Sequence, residues 1–531
     1  MTIPGLMQTT PLTIASIFER MRTVYADAEV VSVSGPAGDQ RVERHTYGEI
    51  ADRALRLASV LRDLGVGPGD RVASFAYNSN RHLELYWAVP LLGAVLHTVN
   101  IRLYPEQIAY IVNHAEDKVI FADAACASQL AEVAPKLETI EHTIELGGPY
   151  EELIAGAPAA TELPDVDENA GFGLCYTSGT TGMPKGVLTS HRAIWLHSLA
   201  TCMTDSIGLS EQDRVLPVVP LFHAFGWGLP YSCGFTGAEL VFHGSDTSPA
   251  ALGAIIERER VTVAAGVPTI WKDLLPAARS GDVDLSSLRL IFCGGSATPR
   301  PLLEAYEDLG VEFLQVWGMT ETGPLAAASR PRRRHKGADR TTLLDAKEKT
   351  GTILPGIEAR IVADDGSTQP LDGATVGELE VRGPWIAAAY YNDDSSDEKF
   401  HEGWLRTGDM AFMEPDGYFR IVDRAKDLVK SGGEWISSVE LEGMLLGHPK
   451  IRDAAVVGCA SKKWDERPVA AVVPQDGQSP SLEDVREFLA PHVAKWWLPD
   501  EVVLVDEIPK TSVGKIDKKA LREQLSHIEL P

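Results

Sequence analysis

The sequence predicts an α/β protein with a large N-terminal domain of helix-covered, mostly parallel sheets, a small β subdomain and a smaller α+β C-terminal domain. Short apolar segments alternate with helical segments through most of the chain, which is the pattern of parallel strands joined by covering helices. From about Gly351 the segments become short β-strands separated by turns, and mixed helix and strand follow Asp423. A chain of 531 residues is long enough for more than one domain.

The predicted elements follow one another regularly. In the first part of the chain, helices are predicted over 12–26, 47–64 and 80–92, and strands over 29–33, 71–75, 95–99 and 119–122. Further along, helices are predicted over 249–258, 269–278 and 299–309, and strands over 261–265, 288–293 and 311–315. The β subdomain is predicted from strands over 358–362, 377–382 and 417–422. We place the domain boundary near Lys426, which gives domains of residues 1–425 and 426–531.

Charge and composition exclude some classes of protein. The net charge of −26 argues against a nucleic-acid partner, because nucleic-acid-binding proteins usually carry a basic surface. The basic run at 332–336 is the exception, and a solvated surface loop is its expected structure. Six cysteines lie far apart with no metal-binding spacing, which predicts a reduced, cytoplasmic protein.

No targeting or membrane-spanning segment is predicted. The N-terminus lacks a basic region followed by an apolar one, so we expect no signal peptide. The stretch 215–237 contains no Lys, Arg, Asp or Glu, and prolines and glycines interrupt it. We expect this stretch to line a buried site and not to cross a membrane.

The segment 176–186 is a loop of small and hydroxyl residues that follows a predicted strand over 171–176. Its glycines allow backbone N–H groups to approach an anion closely, and Lys185 adds a positive charge. The spacing does not match a Walker A loop, which needs G-x-x-x-x-G-K followed by Ser or Thr. An ordinary surface loop is the alternative. Ser190 is a predicted N-cap for a helix that begins at His191.

Two later strands also end in loops that could reach a ligand, at 294–296 and 317–322. Ligands of open parallel sheets collect at the carboxyl ends of the strands. The loops that follow residues 176, 293 and 316 are therefore expected to share one site.

Five motifs occur in the order found in one enzyme family, at 176–186, 317–322, 403–409, 423–430 and 509–515. With them, the chain resembles the acyl-CoA synthetases of the adenylate-forming superfamily over nearly its whole length. That superfamily also contains firefly luciferases and nonribosomal peptide adenylation domains. Segments 219–231 and 430–438 resemble those of medium- and long-chain fatty acyl-CoA synthetases, and equally those of methylmercaptopropionate-CoA ligases.

The resemblance implies a two-step reaction with ATP, Mg²⁺ and coenzyme A. A carboxylate attacks the α-phosphate of ATP to give acyl-AMP and pyrophosphate, and the CoA thiol then displaces AMP. The first step brings two anions together, so a metal ion and a lysine are needed to neutralise charge.

The resemblance also assigns the nucleotide site. Glu321 and Thr177 would hold Mg²⁺, and the phosphates would lie against Lys185 and the loop residues Thr177, Ser178, Gly179, Thr180 and Thr181. Asp409 would accept hydrogen bonds from the ribose, with Arg424 as a second ribose or phosphate contact. Gly294, Gly295 and Ser296 would flank the adenine beside Trp317, and Gly318, Met319 and Thr320 would also belong to the cofactor site. Relatives often carry Tyr where this chain has Trp317, which is expected to stack on the adenine; a core position is the alternative.

In the C-terminal part, the resemblance implies that Lys515 is the adenylation lysine on a mobile domain. Lys426 would be the hinge and Lys430 the lysine of thioester formation, with the CoA channel bordered by Gly432, Gly433 and Trp435. His223 and Trp227 would border the acyl pocket. A structural and a catalytic role are both open for His223, and Trp227 could be a fixed wall or a movable gate.

The expected substrate is a medium- to long-chain fatty acid. The alternatives are the same chemistry on 3-methylthiopropionate or another short or aryl acid, an acyl-AMP ligase that loads a carrier protein, a luciferase-like oxygenase, and a non-catalytic nucleotide-binding protein. The apparent CoA-channel motif near Gly433 argues against carrier loading, and the presence of Lys515, Glu321 and Asp409 argues against a non-catalytic protein. A homodimer formed through the large domain is a further expectation from the family.

Overall fold

The computed structural model describes residues 3, 5–177, 183–431, 434–461, 463–511, 515–528 and 530. Helices pack against three β-sheets, two formed by residues before Lys426 and the third by residues after it. The predicted α/β fold class is confirmed, and most predicted strands and helices lie within a few residues of their expected positions.

The first sheet contains the strand that leads into the predicted phosphate loop. Its strands are parallel except for the last, which turns back antiparallel to its neighbour. They are Arg71–Phe75, Val95–Thr98, Asp117–Ala122, His142–Glu145, Gly171–Tyr176 and Gly186–Ser190.

The second sheet has a parallel part and an antiparallel part. Its parallel strands are Glu29–Ser34, Arg214–Pro217, Glu239–Phe242, Val263–Gly266, Leu290–Cys293 and Glu312–Gly318, with Arg41–Thr46 antiparallel at one edge. The antiparallel part is formed by Leu325–Ala328, Gly351–Ile353, Glu358–Val362, Gly377–Arg382, Phe400–His401, Trp404–Met413 and Tyr418–Arg424.

The predicted β subdomain is hydrogen-bonded to the parallel part of this sheet. Leu325–Ala328 pairs antiparallel with the end of Glu312–Gly318 and continues into the β strands that follow. The expectation that Trp317 and Gly318 belong to a loop is wrong, because both residues end this strand. The antiparallel partner strand extends it beyond the predicted end at residue 315.

The third sheet belongs to the C-terminal part. Its strands are Val429–Ser431, Glu434–Ile436, Ile451–Ser461, Asp465–Pro474 and Glu501–Leu504. The helices Ser438–Leu445, Leu482–Leu489 and Lys518–Gln524 contribute to its two buried clusters.

The helices of the larger part cover its two sheets. They are Ile14–Val24, Tyr47–Asp63, Asn80–Leu91, Pro105–Ala115, Ala127–Val133, Gly148–Gly156, His191–Cys202, Leu229–Thr236, Pro249–Glu259, Pro268–Ser280, Arg300–Asp308 and Arg340–Glu348. Ser190 caps the helix from His191 as predicted, because its side chain accepts a hydrogen bond from the backbone N–H of Ala193.

The stretch 215–237 is buried, as expected for the lining of a site. Phe222 and Tyr231 are among its buried side chains, and the Tyr231 ring packs 5.4 Å from the ring of Phe172 on the first sheet. This stretch therefore belongs to the core that joins the two larger sheets. None of the described helices is long and apolar enough to span a membrane.

The basic run at 332–336 is largely exposed, as expected, but it is also held in place. Arg334 forms an ion pair with Asp416, and its guanidinium lies 5.3 Å from the centroid of the Tyr418 ring. The neighbouring His335 is buried against the same ring. These contacts hold the loop against the beginning of the strand Tyr418–Arg424.

Candidate functional site

A cavity of about 2420 Å³ lies at the carboxyl ends of Val263–Gly266, Leu290–Cys293 and Glu312–Gly318. Its lining includes Lys515 from the C-terminal part. The structure brings most of the predicted site residues to this cavity: Thr177, Lys185, His223, Trp227, Gly294, Gly295, Ser296, Trp317, Gly318, Met319, Thr320, Glu321, Asp409, Arg424, Lys426 and Lys515. Thr177, Gly294 and Trp317 all line it, so the expectation that the residues after 176, 293 and 316 share one site is met.

Two hydrogen bonds between Thr177 and Lys185 join the two ends of the predicted phosphate loop. The backbone N–H of Thr177 donates to the carbonyl of Lys185 at 2.9 Å, and the N–H of Lys185 donates to Thr177 Oγ1 at 3.2 Å. Lys185 Nζ lies 3.3 Å from Asp393 Oδ2 and 4.8 Å from the centroid of the Tyr390 ring. Ser178, Gly179, Thr180 and Thr181 lie outside the described residues.

Glu321 presents a buried carboxylate to the cavity. It lies in a single helical turn, Thr320–Thr322, directly after the strand that ends at Gly318, and it is 5% exposed. The hydroxyl of Tyr390 donates to Glu321 Oε1 at 2.6 Å. Glu321 and the hydroxyl of Thr177 both line the cavity and both offer hard oxygen atoms. This donor set suits Mg²⁺ with phosphate and water as the remaining ligands.

Asp409 is held by a hydrogen bond from Trp317 and by an ion pair with Arg424 on the adjacent strand. Trp317 Nε1 donates to Asp409 Oδ2 at 2.9 Å, and Arg424 Nε lies 2.7 Å from Oδ1. Asp409 and Arg424 are paired residues on adjacent strands, which fixes their relative position. Each carboxylate oxygen keeps a further lone pair, so the group can still accept hydrogen bonds from a diol.

Trp317 is a core residue that also lines the cavity. Its ring is 8% exposed and packs edge-on, 5.8 Å from the ring of Phe419, as a core residue does. It also lines the cavity, and its N–H group orients Asp409. The sequence did not predict this orienting hydrogen bond.

Two glycines of the predicted cofactor site are needed for close packing. A Cβ atom on Gly318 would lie 1.8 Å from the carbonyl oxygen of Pro324. A Cβ atom on Gly294 would lie 2.9 Å from Val316 Cγ2 and 3.2 Å from the Trp227 ring. Because real Cβ atoms do not approach neighbours so closely, the backbone forms this wall of the cavity without side chains.

Lys515 reaches into the cavity from the C-terminal part. Its Cε lies 3.5 Å from the position of a Cβ on Gly295. Burial and the nearby charge of Arg424 lower the pKa of Lys515 to about 8, although Asp409 and Glu321 favour the protonated form. Among the described residues, no carboxylate oxygen lies within 4.0 Å of its Nζ. The lysine is therefore placed where an added anion would be its close partner.

The cavity lining beside His223 and Trp227 includes the apolar residues Val219, Ala224 and Phe292, and we call this part of the cavity the apolar branch. Residues 224–228 all have positive φ angles between 38° and 72°, which turns the chain sharply under the branch. The Trp227 ring lies 5.9 Å from the ring of Phe292, and both residues line the branch. Burial, and then the charges of Lys515 and Arg102, lower the pKa of His223 to about 3, so this side chain is neutral near neutral pH.

Lys430 and Trp435 do not line the cavity. They lie on the hairpin Val429–Ser431 and Glu434–Ile436, where both are exposed and Lys430 Nζ lies 5.2 Å from the centroid of the Trp435 ring. The predicted CoA-channel residues Gly432 and Gly433 lie outside the described residues. The structure thus brings Lys515, but not Lys430, to the cavity.

Several cavity residues were missed by the sequence analysis. Tyr390 contacts Glu321, Asp393 contacts Lys185, and Lys399 lines the cavity beside Gly408. They fall between the strands Gly377–Arg382 and Trp404–Met413, in a segment with little regular structure. No periodic pattern or motif marks this segment, so only the fold could reveal its position.

Comparison with known proteins identifies the family. Residues 18–391 match the family model of the AMP-binding enzymes, and residues 440–515 match the model of the AMP-binding enzyme C-terminal domain. The chain is 42% identical over 538 residues to a 3-methylmercaptopropionyl-CoA ligase of Ruegeria pomeroyi, covering 99% of both chains. It is 44% identical over 531 residues to a long-chain-fatty-acid–CoA ligase of Thermus thermophilus, covering 98% of this chain and 97% of that protein.

A solved structure gives the same result. The anthranilate CoA ligase AuaEII, in complex with anthranoyl-AMP, superposes with a TM-score of 0.87 at 27% identity and covers 97% of this chain and 98% of its own. The chain therefore belongs to the AMP-binding enzymes, the family that forms acyl adenylates. Within that family it is an ATP-dependent acid–thiol ligase that forms acyl-CoA from a small-molecule carboxylic acid. Ligases of this class use ATP, Mg²⁺ and coenzyme A.

Proposed function

We propose that this ligase converts a medium- to long-chain fatty acid to its acyl-CoA, with release of AMP and pyrophosphate. The observation that carries the proposal is the single cavity that joins Glu321, Asp409 and Lys515 to an apolar branch beside Trp227. The similarity to the long-chain ligase of Thermus thermophilus supports this choice of acid.

A second candidate is 3-methylthiopropionate or another short or aryl acid. The bulky Trp227 ring packs beside Phe292 and against Gly294, where it forms a wall of the branch. A bulky wall favours a short acyl chain, and the similarity to the Ruegeria pomeroyi ligase supports 3-methylthiopropionate.

In the first step, the acid enters the apolar branch and the nucleotide lies along the polar wall. Asp409, held by Trp317 and Arg424, accepts hydrogen bonds from the ribose hydroxyls. Lys515 donates to the oxygens that join the carboxylate and the α-phosphate, and its charge offsets their repulsion. The bond between the acid oxygen and the α-phosphorus forms as the bond to pyrophosphate breaks.

The residues present fit a magnesium ion. Glu321, positioned by Tyr390, and Thr177 would hold it beside the phosphates and Lys185. When bound, Mg²⁺ supplies charge neutralisation for the departing pyrophosphate. Neutral His223 adds no positive charge and borders the acid as a polar wall.

In the second step, the C-terminal domain, residues 426–531, would rotate about Lys426 relative to residues 1–425. The described orientation supports only the first step, because Lys515 lines the cavity and Lys430 does not. Contacts across the proposed boundary hold this orientation: Ser438 N donates to Asp423 Oδ2 at 2.8 Å, and Lys272 Nζ donates to the carbonyl of Arg452 at 2.7 Å. Rotation would break them and bring Lys430, Trp435 and the CoA channel to the acyl adenylate.

The proposed function is tested by measuring acid-dependent AMP release with Mg²⁺-ATP, with and without CoA. The acids would be a series from short to long fatty acids, 3-methylthiopropionate and benzoate. CoA-dependent turnover that peaks at a medium or long chain supports the proposal, and a peak at 3-methylthiopropionate selects the second candidate. AMP release that CoA does not stimulate would indicate carrier-protein loading, and AMP release that requires oxygen would indicate an oxygenase.

We also infer a cytoplasmic location. The six cysteines form no disulfide bonds, which supports a reducing compartment.

Replacing Trp227 should change the preferred chain length. The change Trp227→Ala removes the ring that faces Phe292, so we expect kcat/KM to shift towards longer acids. Each further buried methylene contributes about 0.8 kcal/mol, so three of them correspond to roughly a 50-fold shift in relative kcat/KM. The measurement is kcat/KM across the acid series. Trp227→Phe is the matched control with a smaller expected shift, and an unchanged preference in both variants would exclude Trp227 from the acyl pocket.

Adenylation should weaken as the pH rises above about 8. Burial and the charge of Arg424 favour the neutral form of Lys515, so this lysine loses its proton at a pH well below the ordinary pKa of lysine. Only the protonated form can stabilise the transferred phosphate, so kcat/KM for acid-dependent ATP–pyrophosphate exchange should fall about tenfold per pH unit above that pKa. In Lys515→Arg the guanidinium stays charged, so the alkaline fall should disappear even if the rate is lower. A wild-type rate that stays constant to about pH 10 would contradict the assignment.

A further inference from the structure

Lys399 is a lysine of the cavity lining to which neither the family motifs nor the steps above assign a role. It precedes the short strand Phe400–His401, and its backbone is fixed at both ends. Its N–H donates to the carbonyl of Ser396 and its carbonyl accepts from the N–H of Arg406, both at 2.9 Å. Its Nζ lies 3.3 Å from the position of a Cβ on Gly408, the residue before Asp409. The ammonium group therefore lies against the backbone that carries Asp409.

The ammonium group of Lys399 has no anionic partner in the described part of the chain. No described carboxylate oxygen lies within 4.0 Å of its Nζ. The nearby carboxylates bind other groups: Glu378 accepts from Arg406 Nη2 at 2.5 Å and from the N–H of Gly408 at 3.0 Å. Glu321 accepts from Tyr390, and Asp409 accepts from Trp317 and contacts Arg424.

The environment of Lys399 differs from that of a surface lysine. Burial lowers the pKa of Lys399, although the charges of Glu321, Glu378 and Asp409 oppose this effect. A partly desolvated ammonium group without a close anion costs free energy. By contrast, Lys185 of the same cavity contacts Asp393 and the Tyr390 ring. Lys399 is thus suited to an anion that enters the cavity.

We propose that Lys399 binds the α-phosphate of the nucleotide. The proposal rests on the proposed function, in which Asp409 holds the ribose and Glu321 faces the cation and the outer phosphates. The α-phosphate is the group that connects these two, and the charge of Lys399 interacts with both carboxylates.

Lys399 and Lys515 then have different tasks. ATP, acyl-AMP and AMP all carry the α-phosphate, so the contact made by Lys399 is present before and after the transfer. Such uniform binding raises affinity without lowering the barrier of the chemical step. Loss of Lys399 should therefore raise the KM for ATP and leave kcat nearly unchanged.

The test compares Lys399→Met with Lys399→Arg by calorimetric titration of the full-length protein with AMP, ATP and adenosine, without acid or CoA. The methionine variant should bind AMP and ATP about tenfold more weakly, the size expected for one charge-assisted hydrogen bond, and should bind adenosine as the wild type does. The arginine variant should recover most of the affinity. Lys336→Met, at an exposed lysine that does not line the cavity, should leave all three affinities unchanged.

Each contrary result overturns the proposal in a specific way. Equal weakening of adenosine and AMP binding would show a structural role, and weakening of ATP binding alone would place the contact on the outer phosphates. Unchanged binding of all three ligands would place Lys399 away from the nucleotide. Because these titrations need no acid, a wild-type protein that binds AMP but activates no acid would refute the proposed function without deciding the role of Lys399.

Discussion

Lys515→Met should abolish adenylation and spare the thioester step. The loss of its charge leaves the carboxylate and the α-phosphate to repel each other, and cationic groups that act on transferred phosphoryl groups contribute about 10³-fold or more. Acid-dependent ATP–pyrophosphate exchange should fall by about 10³-fold. Formation of acyl-CoA from preformed acyl adenylate should retain most of its rate, because the proposed second step uses the other orientation of the C-terminal domain.

The two half-reactions are measured separately on the same preparation. Lys495→Met is the matched control, because Lys495 is an exposed lysine of the C-terminal part that does not line the cavity. It should leave adenylation unchanged. A loss of similar size in both half-reactions of Lys515→Met would contradict the role of Lys515 as the adenylation lysine.

Asp409→Asn should weaken nucleotide binding by about 10²-fold, because two charge-assisted hydrogen bonds to the ribose are replaced by neutral ones. The side chain keeps its size, and the amide oxygen can still accept from Trp317 Nε1. The side chain of Arg424 is 39% exposed, so water can solvate its charge when the carboxylate is lost. We therefore expect the protein to fold and the KM for ATP to rise, with a similar rise in the Kd for AMP.

The change Trp317→Phe tests the orientation of the Asp409 carboxylate separately from its charge. It keeps an aromatic ring and removes the N–H group that orients Asp409. The KM for ATP should rise less than in Asp409→Asn, because the carboxylate remains and only its orientation is lost. An unchanged KM in Asp409→Asn would show that Asp409 does not contact the nucleotide, whatever the effect of Trp317→Phe.

The fold and the strand ends could be predicted from the sequence because they follow from local patterns. Alternating apolar and helical segments predicted the parallel sheets, and the motifs placed Lys185, Glu321 and Lys515 in loops or turns. The side-chain partners could not be predicted in the same way. Tyr390 and Asp393 lie in an irregular segment, and their contacts with Glu321 and Lys185 depend on how the antiparallel strands pair.

The orientation of the C-terminal part relative to the cavity also could not be predicted from the sequence. Lys430 and Lys515 both belong to recognisable motifs, and nothing in their spacing shows which of them faces the cavity. That choice is made by tertiary contacts such as those of Asp423 with Ser438 and of Lys272 with Arg452. Local sequence cannot encode a preference between two orientations that use the same secondary structure.

The pairing of Glu29–Ser34 with Glu239–Phe242 has a consequence for how the chain folds during its synthesis on the ribosome. Val30 pairs with Leu240, so the first strand has no parallel partner until the middle of the chain has been made. At about 5 to 20 residues per second, this separation corresponds to a delay of roughly 10 to 40 s. The first sheet, built from strands between Arg71 and Ser190, can pair its own strands during that time. We therefore expect it to assemble first and the N-terminal strand to dock onto the second sheet later.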